Sequence, residues 1–188
     1  MIFFTSDSHL GHSKILDYCN RPFKNVDEMG EALIENWNKV VTQNDIIYHL
    51  GDFSFYKDTN KTIHILNRLN GNKILIMGNH DKHMHDSVIK KFNSVHTMYD
   101  LYVNDPEAHH GKQLIVLLHY SMNVWNRCHY GSYHLFGHSH GSLPDNPNSL
   151  SIDVGVDCHN YTPISYEEVK AIMKRKAFKP LDHHGKTK

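Results

Sequence analysis

The chain has 188 residues, 39% of them hydrophobic, which fits one compact domain with a sizeable core. Lysine plus arginine balances aspartate plus glutamate at 20 each, so the formal net charge is zero and no whole-molecule field favours nucleic acid or an anionic membrane. Cys19, Cys128 and Cys158 are odd in number and lack a C-x-x-C pair, and neither a signal-peptide pattern nor a membrane-length apolar run is present, so a reduced, cytoplasmic chain without disulfides or thiolate zinc is expected.

Ile2-Phe3-Phe4 opens the chain as a short strand that runs into Asp7-Ser8-His9. A short helix is expected between Gly11 and Tyr18, followed by a loop at Asn20-Arg21-Pro22, where proline disfavours helix for the residue before it. From Asn25 to Val41 the apolar residues Val26, Met29, Leu33, Ile34, Trp37 and Val40 recur at three- and four-residue steps, which predicts a helix with Asn25 as N-cap. Ile46 to Leu50 reads as a buried strand leading to Gly51-Asp52. A helix from Thr59 to Leu69, stopped by Gly71, and a strand from Ile74 to Met77 complete the crossover of a parallel pair.

Beyond Asp81, residues His83 to Phe92 can form one more helix, with Val88, Ile89 and Phe92 on one face. His96 to Val103 and Lys112 to Leu118 read as antiparallel strands around the loop Asn104 to Gly111. Tyr133 to Phe136 and Leu150 to Val156 are further strands, and Ser165-Tyr166-Glu167-Glu168 is a capping-box pattern that opens a last helix reaching about Lys174. One domain over 1–180 is expected, with 181–188 as a mobile tail.

Five apolar runs end in side chains able to bind metal or move protons: Asp7-Ser8-His9, Gly51-Asp52, Gly78-Asn79-His80-Asp81, His119 and Gly137-His138-Ser139-His140. Ligands in α/β sheets bind beyond the carboxyl ends of strands, so five such ends form one site if they converge. Asp7 and His9, at i and i+2, would point the same way from an extended strand end. Carboxylate, carboxamide and imidazole without thiolate suit a transition metal rather than calcium.

In this order and spacing the five blocks resemble the signature of the calcineurin-like metallophosphoesterase superfamily, from Ile2 to about Val156. The resemblance implies an α/β fold (α+β in some schemes) of four layers, two packed mixed β-sheets flanked by helices. It also implies a dinuclear enzyme that hydrolyses a phosphate ester, with phosphodiesters favoured. Two divalent ions are implied, manganese ahead of iron, zinc, nickel or cobalt. Asp7, His9 and His140 would complete the first metal and Asn79, His119 and His138 the second, with Asp52 bridging the two. Water held opposite Asp52 would be acidified into the attacking hydroxide. His80 would act as general acid, oriented by Asp81.

His12, Asn20 and Arg21 follow the first block, where a substrate phosphate can be clamped, and arginine's planar fork suits that task. The remaining histidines, among them His49 and His134, are read as surface or supporting residues. Selection of a small phosphodiester, a nucleotide being one candidate, would fall to the loops Asn20 to Asn25, Asp105 to Gly111 and Tyr120 to Gly131. A non-catalytic scaffold on the same fold is disfavoured because no block is missing. A nuclease of the same superfamily is disfavoured because the chain has neither a basic stripe nor an appended gripping domain.

Overall fold

Adjacent residues of the first strands bury on opposite sides of one sheet. Phe3, Ile47 and Leu75 join one hydrophobic cluster, while Phe4, Tyr48 and Ile76 join another, as the pleat requires. The computed structural model describes residues 1–181; of the expected tail only Leu181 is among them, and 182–188 lie outside. The first half of the chain forms β1 (Ile2–Thr5), α1 (Lys14–Tyr18), α2 (Val26–Val40), β2 (Ile46–His49), α3 (Thr59–Arg68), β3 (Asn72–Ile76), α4 (Asp86–Ile89) and β4 (Ser94–His96). The second half adds β5 (Met98–Asn104), β6 (Lys112–Leu118), β7 (Tyr133–Phe136), β8 (Ser151–Asp153), β9 (Ile164–Ser165) and α5 (Tyr166–Lys174).

The strands make two mixed sheets. One has the order β4-β3-β2-β1-β9, parallel except for β9, and the other β5-β6-β7-β8, parallel except for β5. Phe4, Tyr48 and Ile76 of the first sheet pack with Ile115, Leu117 and Leu135 of the second, and Val169 and Met173 of α5 join them. The opposite side of the first sheet is covered by α2, α3 and α4. Helix α2 stays helical because Asn25 Oδ1 accepts the backbone N–H groups of Asp27 and Glu28, and because it buries Met29, Leu33, Ile34 and Trp37. Each such side chain contributes roughly 1.5–3 kcal/mol by leaving water. The architecture is therefore two packed mixed sheets flanked by helices, as expected.

Several predicted elements need correction. The run His96 to Val103 is not one strand: β4 ends at His96, β5 starts at Met98, and the chain crosses from the first sheet to the second at Thr97. Only Asp86–Ile89 of the predicted helix His83 to Phe92 is α-helical, although Val88 and Phe92 are buried as expected. The strand Leu150 to Val156 shortens to Ser151–Asp153, after which Gly155 bridges to Ser6. Strand β9, only two residues long, has too few positions to show a period.

The loop Asp105 to Gly111 precedes β6, whereas His119 follows it, so the loop stands about 20 Å from the site-bearing edge at roughly 3.3 Å per strand residue. It lies away from the site. Its Asp105 carboxylate instead accepts Tyr166 Oη at 2.5 Å and Lys170 Nζ at 2.8 Å, tying the hairpin to α5. The Lys170 and Tyr166 hydrogen bonds hold the Asp105 carboxyl at about 2, below its ordinary value. A depressed carboxyl stabilises the fold above its unfolded pKa and loses that contribution as pH falls through the folded one. The stability gap between wild type and Asp105→Asn is therefore expected to be constant near neutrality and to shrink from about pH 4 to about pH 2. Urea melts at each pH would measure it, and a gap independent of pH would rule the anchor out.

Among the described residues no helix is long and apolar enough to cross a membrane.

Candidate metal centre

The five strand ends are held together by backbone hydrogen bonds. Asp7 N–H donates to Gly51 O and His9 N–H to Asp52 O, both at 3.0 Å, Gly137 N–H to His119 O at 2.9 Å, and Val156 N–H to Ser6 O at 3.0 Å. The side chains then turn inward through an unusual backbone. Asp7, His9, Asp52, His138 and His140 all have positive φ, between 48° and 66°. Non-glycine residues in this region cost roughly 1–2 kcal/mol each, and such strain gathers where a site requires it. Asp7-Ser8-His9 therefore converges through two left-handed residues, not along an extended strand end as expected, and His138-Ser139-His140 repeats the device.

Asp81 sets the frame. Its carboxylate accepts the backbone N–H groups of Asp52 at 2.7 Å, Gly78 at 2.8 Å and Phe53 at 3.1 Å. Burial raises its pKa even though those donors favour the anion. These bonds go to backbone, and no hydrogen bond joins Asp81 to the His80 ring, so the orienting contact expected between them is absent. Asp81 locks the β2 and β3 ends together instead. A Cβ on Gly78 would lie 2.6 Å from Asp52 N, which is why this junction admits no side chain. Asp52 Oδ1 in turn accepts His80 N–H at 3.0 Å, leaving Oδ2 free to face inward.

Two groups of potential ligands result, Asp7 with His9 and His140, and Asp52 with His119 and His138; within each group the ligand atoms lie within 4.8 Å of one another. Asp52 Oδ2 stands 3.5 Å from His9 Nε2 and 3.6 Å from His119 Nε2, so it faces both. Asn79 Oδ1 lies 3.1 Å from His119 Nε2. The Leu50 carbonyl, 2.6 Å from His119 Nδ1, can only accept, so the proton of a neutral His119 sits on Nδ1 and the Nε2 lone pair points at two oxygens. Asp7 Oδ1 and His9 Nε2 are buried without any hydrogen-bond partner. Lone pairs gathered in this way, unpaired inside a protein, are what a cation would satisfy, and the donor set fits divalent transition metals. Burial opposes ionisation of Asp7, but the neighbouring imidazoles of His9, His140 and His119 outweigh it and lower its pKa, while burial lowers that of His9. Both shifts favour the ligand forms.

Arg21 is not a phosphate clamp. It is buried, and its guanidinium donates to both Asp157 oxygens at 2.8 Å, to Asp7 O at 2.8 Å and to Ser8 O at 3.1 Å. Asp157 Oδ2 also accepts His140 Nδ1–H at 2.7 Å, which turns His140 Nε2 toward Asp7. Arg21 thus positions the His140 imidazole through Asp157, an arrangement that fixes both tautomer and ring direction. Arg21→Ala is expected to cost about 3–5 kcal/mol of stability, because it strands a buried carboxylate. Chemical denaturation would measure the loss; unchanged stability with a raised KM would restore the clamp.

His12 reaches the rim, with Nδ1 3.1 Å from His9 Nδ1 and its ring stacked on Phe55. Asn20 is exposed in a left-handed turn after α1, outside the cluster. His49 and His134 are fully buried and so are not surface residues. His49 Nε2 lies 2.8 Å from Ser8 Oγ, and burial holds His49 neutral with a pKa of about 3. His134 Nδ1–H donates to Val116 O while Nε2 accepts Met122 N–H, fastening the loop after β6. Tyr120, at the start of that loop, packs edge-on against His119 and His138 and walls the cluster. Cys19 sits with His140 and Asp157 in a third group, but both Asp157 oxygens are already bonded and burial raises the thiol to about 11, so no thiolate is offered.

No family model matches the chain. The uncharacterized protein MJ1445 of Methanocaldococcus jannaschii is 35% identical over 188 residues, covering 96% of each chain. The gene 66 protein of Mycobacterium phage L5 is 38% identical over 81 residues, 42% of this chain and 38% of its own. Among solved structures, the protein of unknown function AQ665 from Aquifex aeolicus superposes with a TM-score of 0.67 at 26% identity, over 92% of this chain and 98% of that one. At 35% identity over 96% of both chains, this chain belongs to the family of MJ1445.

Proposed function

We propose that the chain is a metal-dependent phosphoesterase of the calcineurin-like type, holding one divalent ion at Asp7, His9 and His140 and a second at Asn79, His119 and His138, with Asp52 shared. The observation that carries this reading is the position of Asp52 Oδ2, within 3.6 Å of an imidazole nitrogen from each group while its other oxygen is tied to His80 N–H. When bound, the ions supply Lewis acidity at phosphorus and acidify the attacking water.

The chain's own residues account for the rest. Leu50 O and Asp157 fix the imidazoles of His119 and His140 so that each presents Nε2 inward. Tyr120 walls one side. His80 has a half-exposed ring with Nε2 4.0 Å from Asp52 Oδ2, where it can pass a proton to a departing alkoxide. Asp81 acts as a positioning residue through the backbone of Asp52 and Gly78. The substrate is a small phosphate ester, phosphodiesters first.

Elemental analysis and hydrolysis of bis(p-nitrophenyl) phosphate by manganese-loaded protein test the reading. Two ions per chain, with activity lost to a chelator and restored by manganese, is the expected result. A chain that binds no divalent ion would overturn it.

A further inference from the structure

A cavity of about 440 Å³ opens between the loop after β2 and the segment that follows His80, within the roughly 300–1,000 Å³ of small-molecule sites. Phe55, Tyr56 and Met84 give it flat, polarizable walls, and His80 and Lys57 face it together with His83. Among the described residues no aspartate or glutamate lines it. Phe55 joins this cavity to the metal cluster, since its ring lies 4.8 Å from that of His9 and 4.6 Å from that of His80. A second cavity of equal volume, beside Gly141 and Cys158, differs in carrying the carboxylates of Asp145 and Asp153. The charge contrast assigns an anionic occupant to the first cavity and not to the second.

We propose that the cavity beside His80 receives the leaving group of the ester, and that this group is an aromatic one carrying negative charge of its own, the chemistry of a nucleotide. The inference rests on the phosphoesterase reading for the words "leaving group". His80 lines the cavity and stands 4.0 Å from Asp52, so the group it can protonate on departure is the one lodged there. As water oxygen bonds to phosphorus, the phosphorus–oxygen bond to that group breaks. Its electron pair and the His80 proton go to the leaving oxygen, and the water proton goes to solvent. Phe55 is already stacked on His12, so Tyr56 and Met84 supply the apolar wall for a base, and Lys57 offers a cation for a further phosphate.

Titration calorimetry of the manganese-loaded protein with adenosine 5′-monophosphate, adenosine and inorganic phosphate tests this. The nucleotide is expected to bind more tightly than either of its parts. Lys57→Glu should weaken the nucleotide about tenfold, the scale of reversing one partly exposed charge, without moving inorganic phosphate or metal content. Lys57→Arg, which keeps the charge, should bind as wild type does. Nucleotide binding no tighter than inorganic phosphate, or unaltered in Lys57→Glu, would overturn the proposal. Hydrolysis of bis(p-nitrophenyl) phosphate, followed in parallel, separates the two readings. Hydrolysis with Lys57-independent nucleotide binding removes the cavity assignment alone, whereas Lys57-dependent binding without hydrolysis of any ester removes the phosphoesterase reading and with it the leaving-group role.

Discussion

Asp52→Asn is expected to abolish binding at both metal positions and to reduce phosphodiester hydrolysis to background while leaving the fold intact. The replacement is isosteric, and the amide oxygen can still accept His80 N–H, the hydrogen bond that anchors the β2 end to the β3 end. The other carboxylate oxygen becomes an NH2 group. At the distances of 3.5 Å and 3.6 Å now separating Oδ2 from His9 Nε2 and His119 Nε2, that NH2 points two donors at the two lone pairs a cation would otherwise take. The side chain then fills the role of the ions and closes the cluster on itself. Loss of a supporting contact typically costs roughly 10–100-fold in metal affinity, and loss of the shared anion should exceed that. Ligands that bind only the folded state raise the melting temperature, so manganese should raise it in wild type and not in Asp52→Asn. Two tightly bound ions in the purified variant would remove Asp52 from the shared position.

The grouping of residues at the cluster was legible because its members directly follow short β-branched or aromatic runs. Asp7, Asp52, Asn79, His119 and His138 each stand within a few residues of a strand end, and parallel pairing of β1, β2 and β3, and of β6 and β7, brings those ends to one edge. What supports them was harder to read. Asp153 and Asp157, near His159, are expected from the sequence to support the site, and Asp157 does support it. It lies, however, in a tight turn after a segment that alternates like a strand, so no local pattern pairs it with His140. Arg21 is hard to read for a related reason. An arginine beside a ligand block suits a clamp and a buried strut equally, and only its burial against Asp157 and the Asp7 and Ser8 carbonyls decides between them. Asp81 stands in its block beside His80, yet its bonds run to three backbone N–H groups that are adjacent only after folding. The crossing at Thr97 was hidden because the residues on both sides favour strand and no glycine or proline interrupts them.

His80→Ala is expected to separate chemistry from metal binding. The ring has 48% of its side-chain surface exposed, and the hydrogen bond that ties this residue to Asp52 comes from its backbone N–H, so truncation removes an imidazole and leaves the frame in place. Both ions and the melting temperature should be retained. Turnover should fall by about 10²–10⁴-fold, the range for a lost general acid. Asn79→Ala, one position earlier, should do the reverse and weaken one ion first, because Asn79 Oδ1 faces the His119 lone pair at 3.1 Å. The leaving group sharpens the comparison. An alkoxide needs a proton as it departs, whereas a nitrophenolate scarcely does, so the His80→Ala defect should be much larger for alkyl phosphodiesters than for nitrophenyl ones. Equal defects for both would mean that the imidazole stabilises charge on the phosphoryl oxygens, an electrostatic role indifferent to what departs. Loss of metal from a folded His80→Ala protein would exchange the roles of His80 and Asn79, placing the ligand on the half-exposed ring at the mouth rather than on the carboxamide beside His119.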